Sequence, residues 1–84
     1  MIKQGSIVKP TAGKAQDRYF VVLSIEERRA AISDGRKRKL QNPKQKGIVH
    51  LQDTGCQLDL SEVTTNKQLR KALREKGFFR DPSL

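Results

Sequence analysis

The sequence predicts a mainly β protein: a small barrel of five short strands with one C-terminal helix packed on it. Three observations carry that expectation. The first two thirds of the chain hold short β-prone runs separated by Gly, Pro and Asp-Gly punctuation; helical periodicity with a start and a stop signal is confined to the last third; and 84 residues leave room for one small core.

Ile7-Val8, bounded by Gly5 and Pro10, make the first strand, which proline closes because it lacks a ladder donor. Arg18 to Glu26 is the longest β-prone run. It places Phe20, Val22 and Ser24 on one face and Tyr19, Val21, Leu23 and Ile25 on the other, so both faces should be covered. The polar quartet Glu26-Glu27-Arg28-Arg29 then reads as a four-residue hairpin connection to a third strand over Ala30 to Asp34. Asp34-Gly35 marks the next turn. Lys37 to Gln41 reads as a fourth strand that stops at Asn42-Pro43, and Ile48 to Gln52 as a fifth. Five short strands at this spacing imply a small barrel.

Leu58 and Leu60 alternate once more before the pattern changes. Thr65 to Gln68 has capping-box spacing, with an N-cap hydroxyl and a glutamine three residues on. Leu69, Ala72 and Leu73 form a helical stripe expected to close the core, and Gly77 is placed to end the helix with Phe78 folding back on its last turn. The helix is read over residues 66–76. Residues 1–52 are thus read as the barrel and 53–84 as an extension packed on it, within one structural domain.

The balance of 18 Lys+Arg against 9 Asp+Glu gives a net charge of +9. Such an excess favours a polyanionic partner, nucleic acid first. The charge is also segregated: residues 36–50 hold six bases and no acid, residues 51–65 hold three acids and no base, and residues 66–84 are basic again. A single cysteine, Cys56, and a single histidine, His50, cannot build a disulfide framework or a four-ligand zinc site, and no third group completes a nucleophilic pair from them. No cofactor and no catalysis are expected. The longest apolar run, Tyr19 to Leu23, is far too short to span a bilayer, and the start Met1-Ile2-Lys3-Gln4-Gly5 has no signal-peptide core. A soluble, cytoplasmic protein is expected, with neither a membrane nor a small-molecule substrate as partner.

Taken in order, Gly5-Ser6-Ile7-Val8, Ala12-Gly13-Lys14, Tyr19-Phe20-Val21-Val22, Asp34-Gly35 with Arg36-Lys37-Arg38-Lys39, Asn42-Pro43-Lys44-Gln45-Lys46 and His50-Leu51-Gln52 resemble the KOW-domain ribosomal proteins. The nearest likeness is to the large-subunit family of the "L fourteen-e" type. The resemblance covers residues 5–52. It implies an SH3-like barrel of the KOW type that binds ribosomal RNA of the large subunit, works on the ribosome and catalyses nothing. It matches Gly13 to the family's KOW glycine, and Arg36, Lys37, Arg38, Lys39, Lys44 and Lys46 to its basic strand and loop. Where the family continues after Lys14 with a further base and a second glycine, this chain has Ala15-Gln16-Asp17-Arg18.

The candidate RNA-binding residues are therefore Lys14, Arg36, Lys37, Arg38, Lys39, Lys44, Lys46, His50, Arg70, Lys71 and Arg74, with Gly13 and Gly35 as turn glycines. If Leu40 faces the core, Arg38 shares its side while Lys37, Lys39 and Gln41 face solvent, which makes the two lysines the phosphate contacts. An edge strand also carries lysine simply to block sheet-to-sheet association. On the helix, Lys67, Arg70, Lys71 and Arg74 fall within about 100° of one another, away from Leu69 and Leu73. With so few aromatics, a stacking platform for single strands is not expected, and folded RNA fits better. The competing reading is a protein-interaction module of the transcription or translation machinery, docking through the barrel edge and a groove near Tyr19, Phe78 and Phe79. Nonspecific DNA compaction is served by the same charge but lacks an arm or wedge for the minor groove.

Overall fold

The computed structural model describes residues 1–11, 13 and 18–78. Five strands form one antiparallel sheet: β1 (Ser6–Pro10), β2 (Phe20–Glu26), β3 (Arg29–Ser33), β4 (Lys44–Gly47) and β5 (Leu51–Gln57). Their spatial order is β4-β3-β2-β1-β5, so the last strand returns to pair with the first. One helix follows, α1 (Asn66–Glu75), and single 3-10 turns lie at Ile48–His50 and Leu60–Glu62. The fold is mainly β, with one C-terminal helix, and is compatible with a small barrel. Among the described residues no helix is long and apolar enough to cross a membrane.

Strand alternation distributes the apolar residues between two clusters. Ile7 pairs with Val21 and Val8 with Phe20, so consecutive residues of β1 send their side chains to opposite faces. On one face Val8, Phe20, Val22, Ala30, Ile32 and Leu51 pack together, with Ile2 and Ile48 at the margin. On the other, Ile7 and Val21 meet Val63 and the helix residues Leu69 and Leu73. Both faces of β2 are covered over Phe20, Val21 and Val22, whereas Ser24, Ile25 and Glu26 are exposed, so the expected covering holds only for the first half of the strand. Complete burial of each helix leucine is worth about 1.5–3 kcal/mol, which ties α1 to the sheet. The division at residue 52 falls inside β5, and the helix shares its core with β1 and β2.

The helix ends are closed by its own sequence. Thr65 accepts from the Gln68 amide at 3.1 Å while Gln68 Oε1 accepts from the Thr65 amide at 3.1 Å, the reciprocal capping box. At the other end the Gly77 amide donates to Arg74 and the Phe78 amide to Leu73, a Schellman closure that Gly77 permits at φ +83°.

Four expectations are corrected. The hairpin between β2 and β3 has a two-residue turn, Glu27-Arg28, because Glu26 and Arg29 already pair; both turn residues adopt positive φ, +49° and +68°. The alternation of β2 slips at a bulge between Val22 and Ser24, so Ile25 lies opposite Ala30, on the face of the first cluster, while Leu23 stays with Val21. Residues 37–41 are not a strand. The Asp34 carboxylate captures the Arg36 and Arg38 amides, so the chain winds into a loop and the fourth strand forms only after Pro43. The segment read as a fifth strand from Ile48 begins as a 3-10 turn, anchored by the Ile48 amide on Arg28 and by Thr11 on the His50 carbonyl; pairing with β1 starts at Leu51 and runs to Gln57. The first strand likewise spans Ser6–Pro10, the second starts at Phe20, and the third ends at Ser33, one residue before Asp34 turns away.

Candidate nucleic-acid interface

The basic segment is organised by the one acid beside it. Asp34 is 3% exposed, and its Oδ1 accepts from the Arg36 amide at 2.9 Å and the Arg38 amide at 3.1 Å. In return, the Arg38 carbonyl accepts from the amides of Asp34 and Gly35, at 3.0 and 3.1 Å, and from Ser33 Oγ at 2.5 Å. The loop from Ser33 to Arg38 is thus closed on itself around the buried Asp34, and the side chains of Arg36 and Lys37 are thrown outward. Arg36, Lys37 and Lys39 are exposed; Leu40 tucks under the loop into the second cluster, and Arg38 is half-buried.

The start of α1 docks on this loop. Arg70 Nη1 donates to the Gly35 carbonyl at 2.7 Å, the Leu40 amide donates to Asn66 Oδ1 at 2.8 Å, and Asn66 Nδ2 donates to Gln41 Oε1 at 2.8 Å. Gly35 stands at φ +75° with the Asn66 carbonyl oxygen 2.7 Å from where a β-carbon would sit, so the close approach of helix and loop requires glycine there. From the other side Arg18 Nη2 donates to Asp34 Oδ2, and its guanidinium lies 5.5 Å from the Phe20 ring centroid.

Between these parts opens a cleft of about 480 Å³ lined by Arg18, Gly35, Arg36, Lys37, Lys39 and Arg70. Among the described residues, every charged side chain on that lining is a cation. Arg36, Lys37, Lys39 and Arg70 are candidates from the sequence alone, whereas Arg18, at the head of a β-prone run, joins them only in the folded chain. The signal was Asp34: a lone acid at the head of a basic block must find a cation if it is buried.

The other candidates lie elsewhere. Lys44 and Lys46 pair with Ile32 and Ala30, so they share the face of the first cluster, on an edge strand, and are half-buried. His50 is exposed at the end of the 3-10 turn, where its carbonyl rather than its ring is engaged. Lys71 lies 4.0 Å from Glu75 and borders a groove with Asp59 and Glu62, an acidic setting. Arg74 is exposed on the helix, and Gly13 is exposed at φ +93°. Lys14 and Phe79 lie outside the described residues. Tyr19 and Phe78 are half-buried with ring centroids 4.9 Å apart and planes tilted by 51°, at the margin of the cluster shared by helix and sheet. Cys56 packs in the second cluster as a small apolar side chain. Among the described residues no three His, Cys, Asp or Glu side chains converge to hold a metal ion.

Two carboxylates have pKa values held below the ordinary 3.8. Asp53 is lowered by the Gly55 amide and, to a lesser extent, by the N-terminal ammonium 3.3 Å away; Asp59 is lowered by the Ser61 hydroxyl and amide. Neither borders the basic cleft. No protein-family model matches this chain, and neither does any curated protein sequence.

Proposed function

We propose that the chain is a non-enzymatic RNA-binding module of the translation apparatus, an SH3-like barrel of the KOW type that engages structured ribosomal RNA of the large subunit in the cytoplasm. The observation that carries this reading is the cleft at Gly35, where five cations from β2's approach, the Asp34 loop and α1 converge and, among the described residues, no acid lines the wall. A convergent set of cations suits a phosphate backbone, and each phosphate neutralised releases condensed counterions, so binding falls linearly with the logarithm of salt concentration. Return of the last strand to the first, after a 3-10 turn, supports the barrel reading, and the order of motifs from Gly5 to Gln52 supports the ribosomal one.

The test is a binding isotherm on refolded large-subunit ribosomal RNA at several salt concentrations, with wild type and the Lys37→Glu, Lys39→Glu double variant. Both lysines are exposed on a loop, so the variant keeps the fold. Binding by the wild type, weakened as salt rises and abolished by the double variant, is the expected result. Undiminished affinity in the variant overturns the site, and co-sedimentation with no ribosomal particle even at low salt overturns the function.

A further inference from the structure

Arg18 and Arg70 differ from the other cations of the cleft in how they are held. Arg18 is fixed by the Asp34 carboxylate below it and the Phe20 ring beside it, and Asp34 is itself fixed by two backbone amides. Arg70 is fixed by the Gly35 carbonyl at 2.7 Å. The two anchor points belong to consecutive residues, whose α-carbons lie about 3.8 Å apart. Lys37 and Lys39, by contrast, project from the loop into solvent. A guanidinium carries five N–H donors in a planar fork, so each arginine anchored through one terminal nitrogen keeps donors to offer into the cleft with its orientation already set. Both guanidiniums line the cleft, Arg18 paired with a carboxylate and Arg70 with a neutral carbonyl, so their charge is under-compensated, and a ligand that supplies two anionic groups side by side offsets it.

We propose that Arg18 and Arg70 form a two-guanidinium clamp for a pair of adjacent phosphate groups, with Asp34 as the positioning residue of Arg18 and the loop lysines supplying undirected attraction. The choice of residues rests on geometry; the choice of source, two phosphates brought together where a folded RNA backbone bends, rests on the RNA-binding reading above. The same chemistry is presented by free pyrophosphate, which lets the clamp be tested apart from RNA.

The experiment uses the full chain and two probes: inorganic pyrophosphate, followed through the Gly35 amide resonance by NMR, and refolded large-subunit ribosomal RNA. Arg18→Lys and Arg70→Lys keep the charge and lose the fork; Lys76→Arg, at an exposed lysine at the helix end outside the cleft, is the control. Each Arg→Lys variant should weaken both probes about tenfold with the salt dependence of RNA binding unchanged, and Lys76→Arg should change neither. Asp34→Asn should also weaken pyrophosphate binding, although it removes a negative charge, because Arg18 loses its anchor. Lysine variants that hold pyrophosphate as tightly as the wild type, or a wild type that does not bind it, overturn the clamp. Loss of pyrophosphate binding in both lysine variants upholds the clamp even if the wild type ignores RNA, and that last result overturns the RNA reading alone.

Discussion

Replacing Gly35 with alanine adds a β-carbon at φ +75° and drives it against the Asn66 carbonyl oxygen, 2.7 Å away in the helix backbone. The left-handed conformation alone costs a residue with a side chain about 1–2 kcal/mol, and helix backbone cannot yield as a flexible side chain can. Gly35→Ala is therefore expected to lower unfolding free energy by about 2 kcal/mol or more in urea, and to weaken the proposed RNA binding as Arg70 leaves the loop. Asp34→Asn isolates a different effect. The amide oxygen still accepts from Arg36 and Arg38, so the loop persists, but the charged partner of Arg18 is gone. A cost of about 1–3 kcal/mol is expected, the range for a charged hydrogen bond at a buried acceptor. Unchanged denaturant midpoints for Asp34→Asn would show that Arg18 contributes nothing to the loop.

The hairpin turn shows how an element tolerates residues that its geometry disfavours. A two-residue turn with positive φ at both positions matches the twist of the flanking strands and favours Asn-Gly, yet this chain has Glu27-Arg28. Replacing the pair by Asn-Gly should raise stability by about 1 kcal/mol, read as a higher denaturant midpoint with an unchanged slope. The polar quartet around this turn identifies the hairpin from sequence, but not its length, because nothing local marks where β2 and β3 stop pairing. The helix is the opposite case. Its capping box and its glycine stop lie within the chain segment they close, so sequence places both ends to within a residue. The segment after Gly35 misleads for a nameable reason: alternation around Leu40 is genuine, with Lys37, Lys39 and Gln41 outside, but the amides a strand would need belong to the Asp34 side chain.

At the scale of the whole molecule, one thin sheet is stabilised from both sides. Leu73→Ala opens a cavity where the helix meets Ile7 and Val21, and a loss of about 2–5 kcal/mol is expected, with the helix signal and the sheet signal lost in one transition. Separate transitions would show that α1 docks on a sheet that folds without it. Acid acts through Asp53 and Asp59. Both pKa values are lower in the folded chain than the ordinary 3.8, so their contribution is complete above that value and is lost as pH falls through the lowered ones. Asp59 is exposed and Asp53 half-buried beside the exposed charge of the N-terminus, so solvent screening keeps the effect small. The melting temperature should hold level down to about pH 4 and fall below it, with part of the fall removed in Asp53→Asn.

Local chemistry determined what the sequence could determine alone: the mainly β class, the covering of both faces over the first half of β2, the helix with its caps, and a basic surface around residues 36–39. Each follows from neighbours in the chain, through side-chain period, capping or charge. Tertiary structure decided which cations share a cleft. Arg18, Asp34 and Arg70 are far apart in sequence and come to one cleft only because β2 and β3 pair and α1 lies across the loop that follows β3, while Lys44 and Lys46, close in sequence, are turned to the other face by the register of β4. Convergence of charge is a property of long-range pairing, and no local pattern encodes it.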